Sequence, residues 1–171
     1  MSVQFRNVDV DPASAVSTWP YEALVTVLER GALSDWRRIA KEIDARPWGR
    51  VARSVEAYLG YERPYGVAPL MDEVIAHARS RREAEEKARV GALVRDAVER
   101  SGLSRAQFAD AVGTSASRLS TYCSGKVTPS ASMLMRILDA ADDTADDQAA
   151  ARAPGEDGRQ TRHQPDDPRT C

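Results

Sequence analysis

The feature that most constrains this chain is the spacing of its apolar residues, which recur every three or four positions over most of its length. This period places apolar side chains on one face of an α-helix. The clearest case lies at i, i+3, i+4 and i+7, namely Tyr21, Leu24, Val25 and Leu28. The alternation of apolar and polar residues that is typical of a β-strand is not sustained over any useful length. The sequence therefore predicts an all-α protein.

Four amphipathic helices are predicted between residues 18 and 80, where they form an N-terminal helical module. The first closes at Gly31, and the second begins at Ser34, a good N-cap residue. Pro47 suits the first turn of the third helix, and the fourth begins near Val67. The inward faces of the last three helices are predicted to contain Trp36, Ile39, Ala40, Ile43, Trp48, Val51, Val55, Tyr58, Leu59, Leu70, Met71, Val74, Ile75 and Ala78.

Composition excludes several classes of protein. No apolar run approaches the roughly 18 residues that a membrane span requires, and the first residues lack the basic stretch and apolar core of a secretory signal. We therefore expect a cytoplasmic protein. The two cysteines and two histidines lie far apart, so we expect neither a disulfide framework nor a metal site, and no cofactor is indicated.

The net charge of −2 conceals an uneven distribution of charged side chains. Residues 1–80 carry 10 basic and 11 acidic side chains, residues 81–141 carry 10 and 7, and residues 142–171 carry 4 and 8. The middle segment is therefore basic and the last one acidic. Residues 1–17 have little apolar pattern and are predicted to form a flexible arm. Residues 142–171 have almost nothing to bury and are predicted to form a disordered acidic tail.

A charged segment, RSRREAEEKAR at residues 79–89, continues the fourth helix without an apolar face. Two glutamates lie four positions before a basic residue, in the pairs Glu83–Lys87 and Glu85–Arg89, and such pairs support an exposed helix. We expect a long, solvated helical connector. The alternative is a basic surface that contacts phosphate through Arg79, Arg81 or Arg82.

A second set of apolar stripes follows the connector, and its first helix closes at Ser101-Gly102. The apolar face of that helix is predicted to contain Val90, Leu93, Val94, Ala97 and Val98. Ser104 and Gln107 have the spacing of a capping box, which begins a short helix. That helix is predicted to bury Phe108, Ala109 and Val112.

Gly113 ends the short helix, because glycine adopts a positive φ without steric cost. Ser115 caps the next helix, which is predicted to run to about Cys123 with Leu119 and Tyr122 facing inward. The sequence therefore predicts two helices that meet across a very tight turn.

The run SGLSRAQFADAVGTSASRLSTYCSGK, followed by Pro129 and Ser130, resembles the helix-turn-helix of the Xre/Cro family, the lambda-repressor-like DNA-binding domains. The resemblance extends from about Arg89 to Ala141. It implies a sequence-specific transcriptional regulator that binds double-stranded DNA as a homodimer, with residues 115–123 as the recognition helix in the major groove. The predicted architecture is thus an N-terminal four-helix module (18–80), a helix-turn-helix domain (81–141) and the tail.

The resemblance also implies which residues contact DNA. Those at the positions that face the groove are Ala116, Ser117, Arg118 and Thr121, of which Arg118 suits bidentate hydrogen bonds to guanine. Those expected near phosphates are Ser104, Arg105, Gln107, Ser115 and Lys126. The alternative for Ser104, Gln107 and Ser115 is helix capping alone, and for Lys126 a solvated surface. The sequence departs from the family at Cys123, where many members carry an acidic residue. The two interpretations of Cys123 are a passive packing residue and a redox switch.

The N-terminal module shows no nucleophile and base pair, phosphate loop or ligand cluster, so we expect no enzymatic activity. Its predicted role is dimerisation or the binding of a protein partner. An antitoxin that represses its own operon and holds a toxin is the alternative to a simple regulator. A third possibility is an enzyme whose active site lies in the N-terminal helices, which would require a deep pocket with coupled titratable groups. The remaining one is an interaction module that no longer binds DNA. The protein is expected at the nucleoid when it is bound to DNA. An alternative to a disordered acidic tail without a role is a tail that competes with DNA for the basic face.

Overall fold

A computed structural model describes the backbone of residues 9–152 and the side chains of residues 9–144. Within this part the chain is all-α, as predicted, and contains no strand. A short 3-10 helix, Val16–Thr18, precedes seven α-helices: α1 (Tyr21–Arg30), α2 (Leu33–Ala45), α3 (Arg50–Tyr61), α4 (Val67–Arg100), α5 (Arg105–Ala111), α6 (Ala116–Cys123) and α7 (Ala131–Arg152).

The described chain divides into two compact units. The N-terminal unit contains residues 9–91 and the loop 124–128, and the C-terminal unit contains residues 92–123 and 129–152. Each has its own apolar core. The boundary falls inside α4, about ten residues beyond the predicted end of the helical module at residue 80, because the predicted connector and the helices on either side of it are one continuous helix.

The core of the N-terminal unit surrounds Trp19, which is fully buried. Most of the predicted inward residues are buried in it, but Tyr21, Trp48 and Leu70 are 42%, 43% and 40% exposed. In α1 the buried face is rotated from the predicted one, so that Ala23 and Val27 are buried where Tyr21 is not. In the C-terminal unit Leu93 is likewise half exposed.

The start of α2 differs from the prediction. The N-cap is Ala32 and not Ser34, which lies inside the helix. The buried carboxylate of Asp35 accepts the backbone N–H of Ala32 at 3.1 Å and so satisfies a donor at the helix start from within the first turn. The third helix likewise begins at Arg50, three residues after Pro47.

The segment 11–17, predicted as a flexible arm, is instead bound to the N-terminal unit. Arg38 donates hydrogen bonds to the carbonyl oxygens of Pro12 (2.6 Å) and Ser14 (2.7 Å), and its guanidinium lies 4.7 Å from the centre of the Trp19 ring. Val16 is buried in the same core. A distant arginine thus satisfies backbone acceptors that have no regular partner, which a local pattern does not reveal. Residues 1–8 lie outside the described residues.

The middle of α4 is exposed and helical, as predicted for the connector. Its ion pairs are not the predicted ones: Arg81 pairs with Asp44 at 2.6 Å, and Glu85 lies 3.7 Å from Arg81 and 3.5 Å from Arg82. Arg79 donates to both carboxylate oxygens of Glu56 at 2.6 and 2.8 Å, and these bonds raise its pKa. The three arginines of the alternative phosphate surface are therefore engaged with acceptors of the N-terminal unit.

The last helix, α7, continues to Arg152, well past residue 142, where the disordered tail was predicted to start. The backbone of residues 142–152 is thus helical, whereas the sequence predicted a tail from residue 142. Alanines favour helix in this polar stretch, and Arg100 forms a 2.6 Å ion pair with Asp142 that ties the start of the stretch to α4. Hydrogen bonds to Asp142 and Asp96 raise the pKa of Arg100. Residues 153–171, the rest of the predicted tail, lie outside the described residues.

Candidate nucleic-acid interface

The start of α5 has the predicted capping box. The hydroxyl of Ser104 accepts the backbone N–H of Gln107 at 3.4 Å and donates to its side-chain oxygen at 2.6 Å, and that oxygen also accepts the N–H of Ser104 at 3.1 Å. The amide oxygen of Gln107 is thus committed to the cap, and its NH2 group is directed elsewhere. Phe108, Ala109 and Val112 are buried, as predicted.

The turn between α5 and α6 is a Schellman motif. Thr114 donates its N–H to the carbonyl of Ala109 at 2.9 Å, and Gly113 donates to Asp110 at 3.1 Å. Gly113 has φ +72°, which confirms the predicted positive φ. Because Ala109 is 1% exposed, its small side chain lies in the packed interior between the elements. These two hydrogen bonds to backbone carbonyl groups of α5 therefore fix the geometry of the turn.

Helix α6 is anchored on one side and exposed on the other. Leu119 and Tyr122 are buried in the core of the C-terminal unit, and Ser115 accepts the N–H of Arg118 at 3.2 Å as the N-cap. The exposed side chains are Ala116, Ser117, Arg118 and Ser120. Thr121 is half-buried, and its hydroxyl donates to the carbonyl of Arg118 at 2.7 Å. The structure thus brings the predicted groove-facing residues together on one helix.

The carboxyl end of α6 has a contact that the sequence did not predict. Arg95, on α4, donates a hydrogen bond to the carbonyl oxygen of Cys123, the last residue of α6. A cation at this end of a helix also interacts favourably with the helix dipole. The two residues are 28 positions apart, so no local sequence signal identifies Arg95. Cys123 itself is 7% exposed and packs in the core.

The loop 124–128 follows α6 and lies against the backbone of α4. Gly125 has φ +71°, and a Cβ atom there would lie 3.1 Å from the carbonyl oxygen of Lys87. This close approach and the positive φ both require glycine. Lys126, next to it, is exposed.

Three basic side chains at the predicted DNA-contacting positions remain available to a ligand. Arg105, Arg118 and Lys126 are exposed, and among the described residues their charged groups form no ion pair or hydrogen bond. Arg100 of the same unit, by contrast, is engaged, since it pairs with Asp96 and Asp142. Exposed positive charge of this kind attracts an anionic polymer.

No group of three or more potential metal ligands occurs among residues 9–144. Of the helices in the described part of the chain, none is both long and apolar enough to cross a bilayer.

Comparison with known proteins agrees with this geometry. Residues 89–151 match a family model described as a helix-turn-helix domain. No curated protein and no solved structure matches the chain significantly. A helix-turn-helix domain in an all-helical chain is typical of proteins without enzymatic activity. Residues 89–151 therefore contain a helix-turn-helix domain of the kind that binds DNA.

Proposed function

We propose that this protein is a sequence-specific transcriptional regulator of the Xre/Cro, lambda-repressor-like type, which inserts α6 into the major groove of DNA. The observation that carries the proposal is the exposed face of α6, where the guanidinium of Arg118 has no partner among the described residues. A helix of this size fits the major groove, whose base edges present distinct donor and acceptor patterns.

Arg118 is the proposed specificity residue, donating two hydrogen bonds to O6 and N7 of a guanine. Ser117 contacts a neighbouring base edge or phosphate, and Ala116 contacts a thymine methyl group. The hydroxyl hydrogen of Thr121 is used on the Arg118 carbonyl, so Thr121 serves as an acceptor toward a base amino group.

The proposed phosphate contacts come from α5, from the N-cap of α6 and from the loop after α6. Gln107 donates through its NH2 group, because its oxygen is held by Ser104. Arg105 and Lys126 contribute exposed charge. Ser115 donates its hydroxyl hydrogen to a phosphate while its oxygen caps α6. Ser104 acts indirectly by orienting Gln107. Such contacts position the protein on the duplex without reading its sequence.

We further propose that the N-terminal unit brings two copies together on a two-fold operator or binds a protein partner. It has a core separate from that of the DNA-binding domain and a groove that no described residue fills. The groove favours a second candidate function, an antitoxin that represses its own operon and holds a toxin through this unit. A dimer would place its half-sites about 10 base pairs apart.

The test combines selection and titration. Purified wild-type protein and Arg118→Ala are each selected against a randomised duplex pool, and binding to the enriched site and to a scrambled site is measured at two salt concentrations. The wild-type should enrich a two-fold site. Arg118→Ala should lose about 1–3 kcal/mol of discrimination, roughly fivefold to 150-fold, at one guanine position.

Two controls separate specificity from general attraction. Arg105→Ala should weaken binding to both sites equally and lower the salt slope by about 1. Arg46→Ala, an exposed arginine of the N-terminal unit paired with Glu42, should change neither quantity. An Arg118→Ala variant with unchanged base preference would contradict the assigned position of Arg118. Wild-type protein that enriches no sequence would overturn the proposed function.

A further inference from the structure

The N-terminal unit contains an open groove between α1 and the end of α3, with a volume of about 500 Å³. Its walls are formed mainly by Tyr21, Val25, Glu29, Tyr58, Tyr61 and Glu62. The α1 residues are spaced four apart and therefore form one stripe along the helix. The groove lies entirely within the N-terminal unit and is remote in sequence from the proposed DNA-binding residues.

Three of the residues that line the groove are tyrosines, and two of them are exposed. Tyr58 forms its floor at 4% exposure, whereas Tyr21 is 42% and Tyr61 86% exposed. Tyr65, on the following loop, is fully exposed. Tyrosine rings combine a large apolar face with a polar edge and are enriched where proteins bind one another. The exposed faces are thus suited to a partner that covers them.

The charged residues that line the groove are both acidic. They are Glu29 and Glu62, and no basic residue lines it. One oxygen of Glu29 accepts the Tyr58 hydroxyl at 3.2 Å, and the carboxylate of Glu62 has no ion pair or hydrogen bond among the described residues. Arg63, the neighbour of Glu62 in sequence, is turned to Asp72 at 2.6 Å. Burial, and then the two carboxylates, raise the pKa of Tyr58 to about 12, as a negative environment should.

A groove lined by aromatic faces and carboxylates favours a cation, and the cation that suits it best is a guanidinium group. It is planar, stacks on aromatic rings and donates two parallel hydrogen bonds to a carboxylate. The molecule uses the same chemistry internally, where Arg38 lies over Trp19. Because the groove is open to solvent, the main chain on either side of such a side chain has room outside it.

We propose that this groove binds an extended segment of a protein partner by an arginine side chain held between Tyr61, Tyr21 and Glu62. The inference specifies the partner chemistry of the N-terminal unit and rests on the proposed function only through the role given to that unit. Its test involves no DNA, so its failure and the failure of DNA binding are distinguishable.

The probe is the peptide acetyl-Ala-Ala-Arg-Ala-Ala-amide, titrated into the full-length protein while the tyrosine ring signals are followed by NMR. The expected result is saturable shifts of the groove tyrosines. A peptide with citrulline in place of arginine, which has the same shape without the charge, should bind roughly fivefold more weakly. Equal binding of the two peptides, or no saturable shift, would overturn the proposal.

Variants locate the contact. Glu62→Gln and Tyr61→Ala should each weaken peptide binding roughly two- to fivefold, since each removes one exposed contact to the cation. Glu73→Gln changes an exposed glutamate of α4 outside the groove and should have no effect. Both groove residues are exposed, so the variants should fold, which the thermal unfolding curve checks.

Two further outcomes would overturn the assigned occupant. If arginine amide alone binds as tightly as the peptide, the groove binds a small cation and not a protein segment. If Tyr61→Ala converts a dimer into a monomer in sedimentation velocity, the groove is occupied by a second copy of this chain.

Discussion

Two glycines with the same backbone conformation should respond differently to alanine, because only one of them has room for a side chain. Gly113, in the turn before α6, has φ +72°, and a Cβ atom there would meet no atom within 4 Å. Gly113→Ala should therefore cost only the conformational strain of an L-residue in the left-handed region, about 1–2 kcal/mol.

Gly125 has φ +71° and incurs the same strain, but its added Cβ atom would lie 3.1 Å from the Lys87 carbonyl oxygen and 3.5 Å from the carbonyl carbon. Both atoms belong to the backbone of α4, which cannot turn aside as a flexible side chain can. Forcing a methyl group into a packed site costs about 1–3 kcal/mol more. We therefore expect Gly125→Ala to be destabilised by about 2–5 kcal/mol in total.

Urea unfolding followed by far-UV circular dichroism gives these free energies, and hydrogen exchange of the α6 amides locates the effect. Gly113→Asn is the matched control, since asparagine tolerates the left-handed region better than alanine and should cost less. If Gly125→Ala is as stable as Gly113→Ala, the clash with the Lys87 carbonyl is contradicted. If Gly113→Ala is as stable as the wild-type protein, the strain at φ +72° is contradicted.

Two further predictions concern single side chains. Arg95→Ala should lower stability by about 1 kcal/mol and weaken DNA binding, because α6 loses the donor on its last carbonyl. The control is Arg136→Ala, which changes an exposed arginine of α7, and both variants are measured by thermal unfolding and DNA titration. Equal behaviour of the two variants would contradict the role of Arg95. Tyr58, whose pKa is raised to about 12, should keep its proton longer in the folded than in the unfolded state, so stability should fall as pH rises from about 10 to 12. Absorbance at 295 nm should show one late-titrating tyrosine that Tyr58→Phe removes, and a wild-type titration without this late step would contradict the assignment.

The parts of the candidate site that were predicted correctly depend on residues close in sequence. The Ser104–Gln107 capping box spans three positions, and the positive φ of Gly113 is set by the turn in which it lies. Caps and left-handed turns involve hydrogen bonds over three to five residues, so their residue types carry the information. The position of α6, with its exposed Arg118, was predicted for the same reason.

The failures of prediction have a common cause. An apolar stripe shows that one side of a helix will be covered but not how far the neighbouring helices reach. Tyr21 and Trp48 were therefore predicted to face inward, although they are 42% and 43% exposed. The lack of an apolar pattern in residues 1–17 suggested a free arm, because the partner that holds residues 11–17, Arg38, lies more than 20 positions away.

Local sequence patterns are enough to predict that the chain is helical, where α1, α5 and α6 lie, and that a tight turn precedes α6. Tertiary structure alone decided which arginines are consumed by partners, as Arg79 is by Glu56, and which remain free, as Arg118 is. It also decided that Arg95 caps α6 and that three tyrosines and two glutamates meet in one groove. Helix propensity and capping depend on residues within a few positions of one another. Ion pairs and grooves depend instead on how segments that are distant in sequence pack.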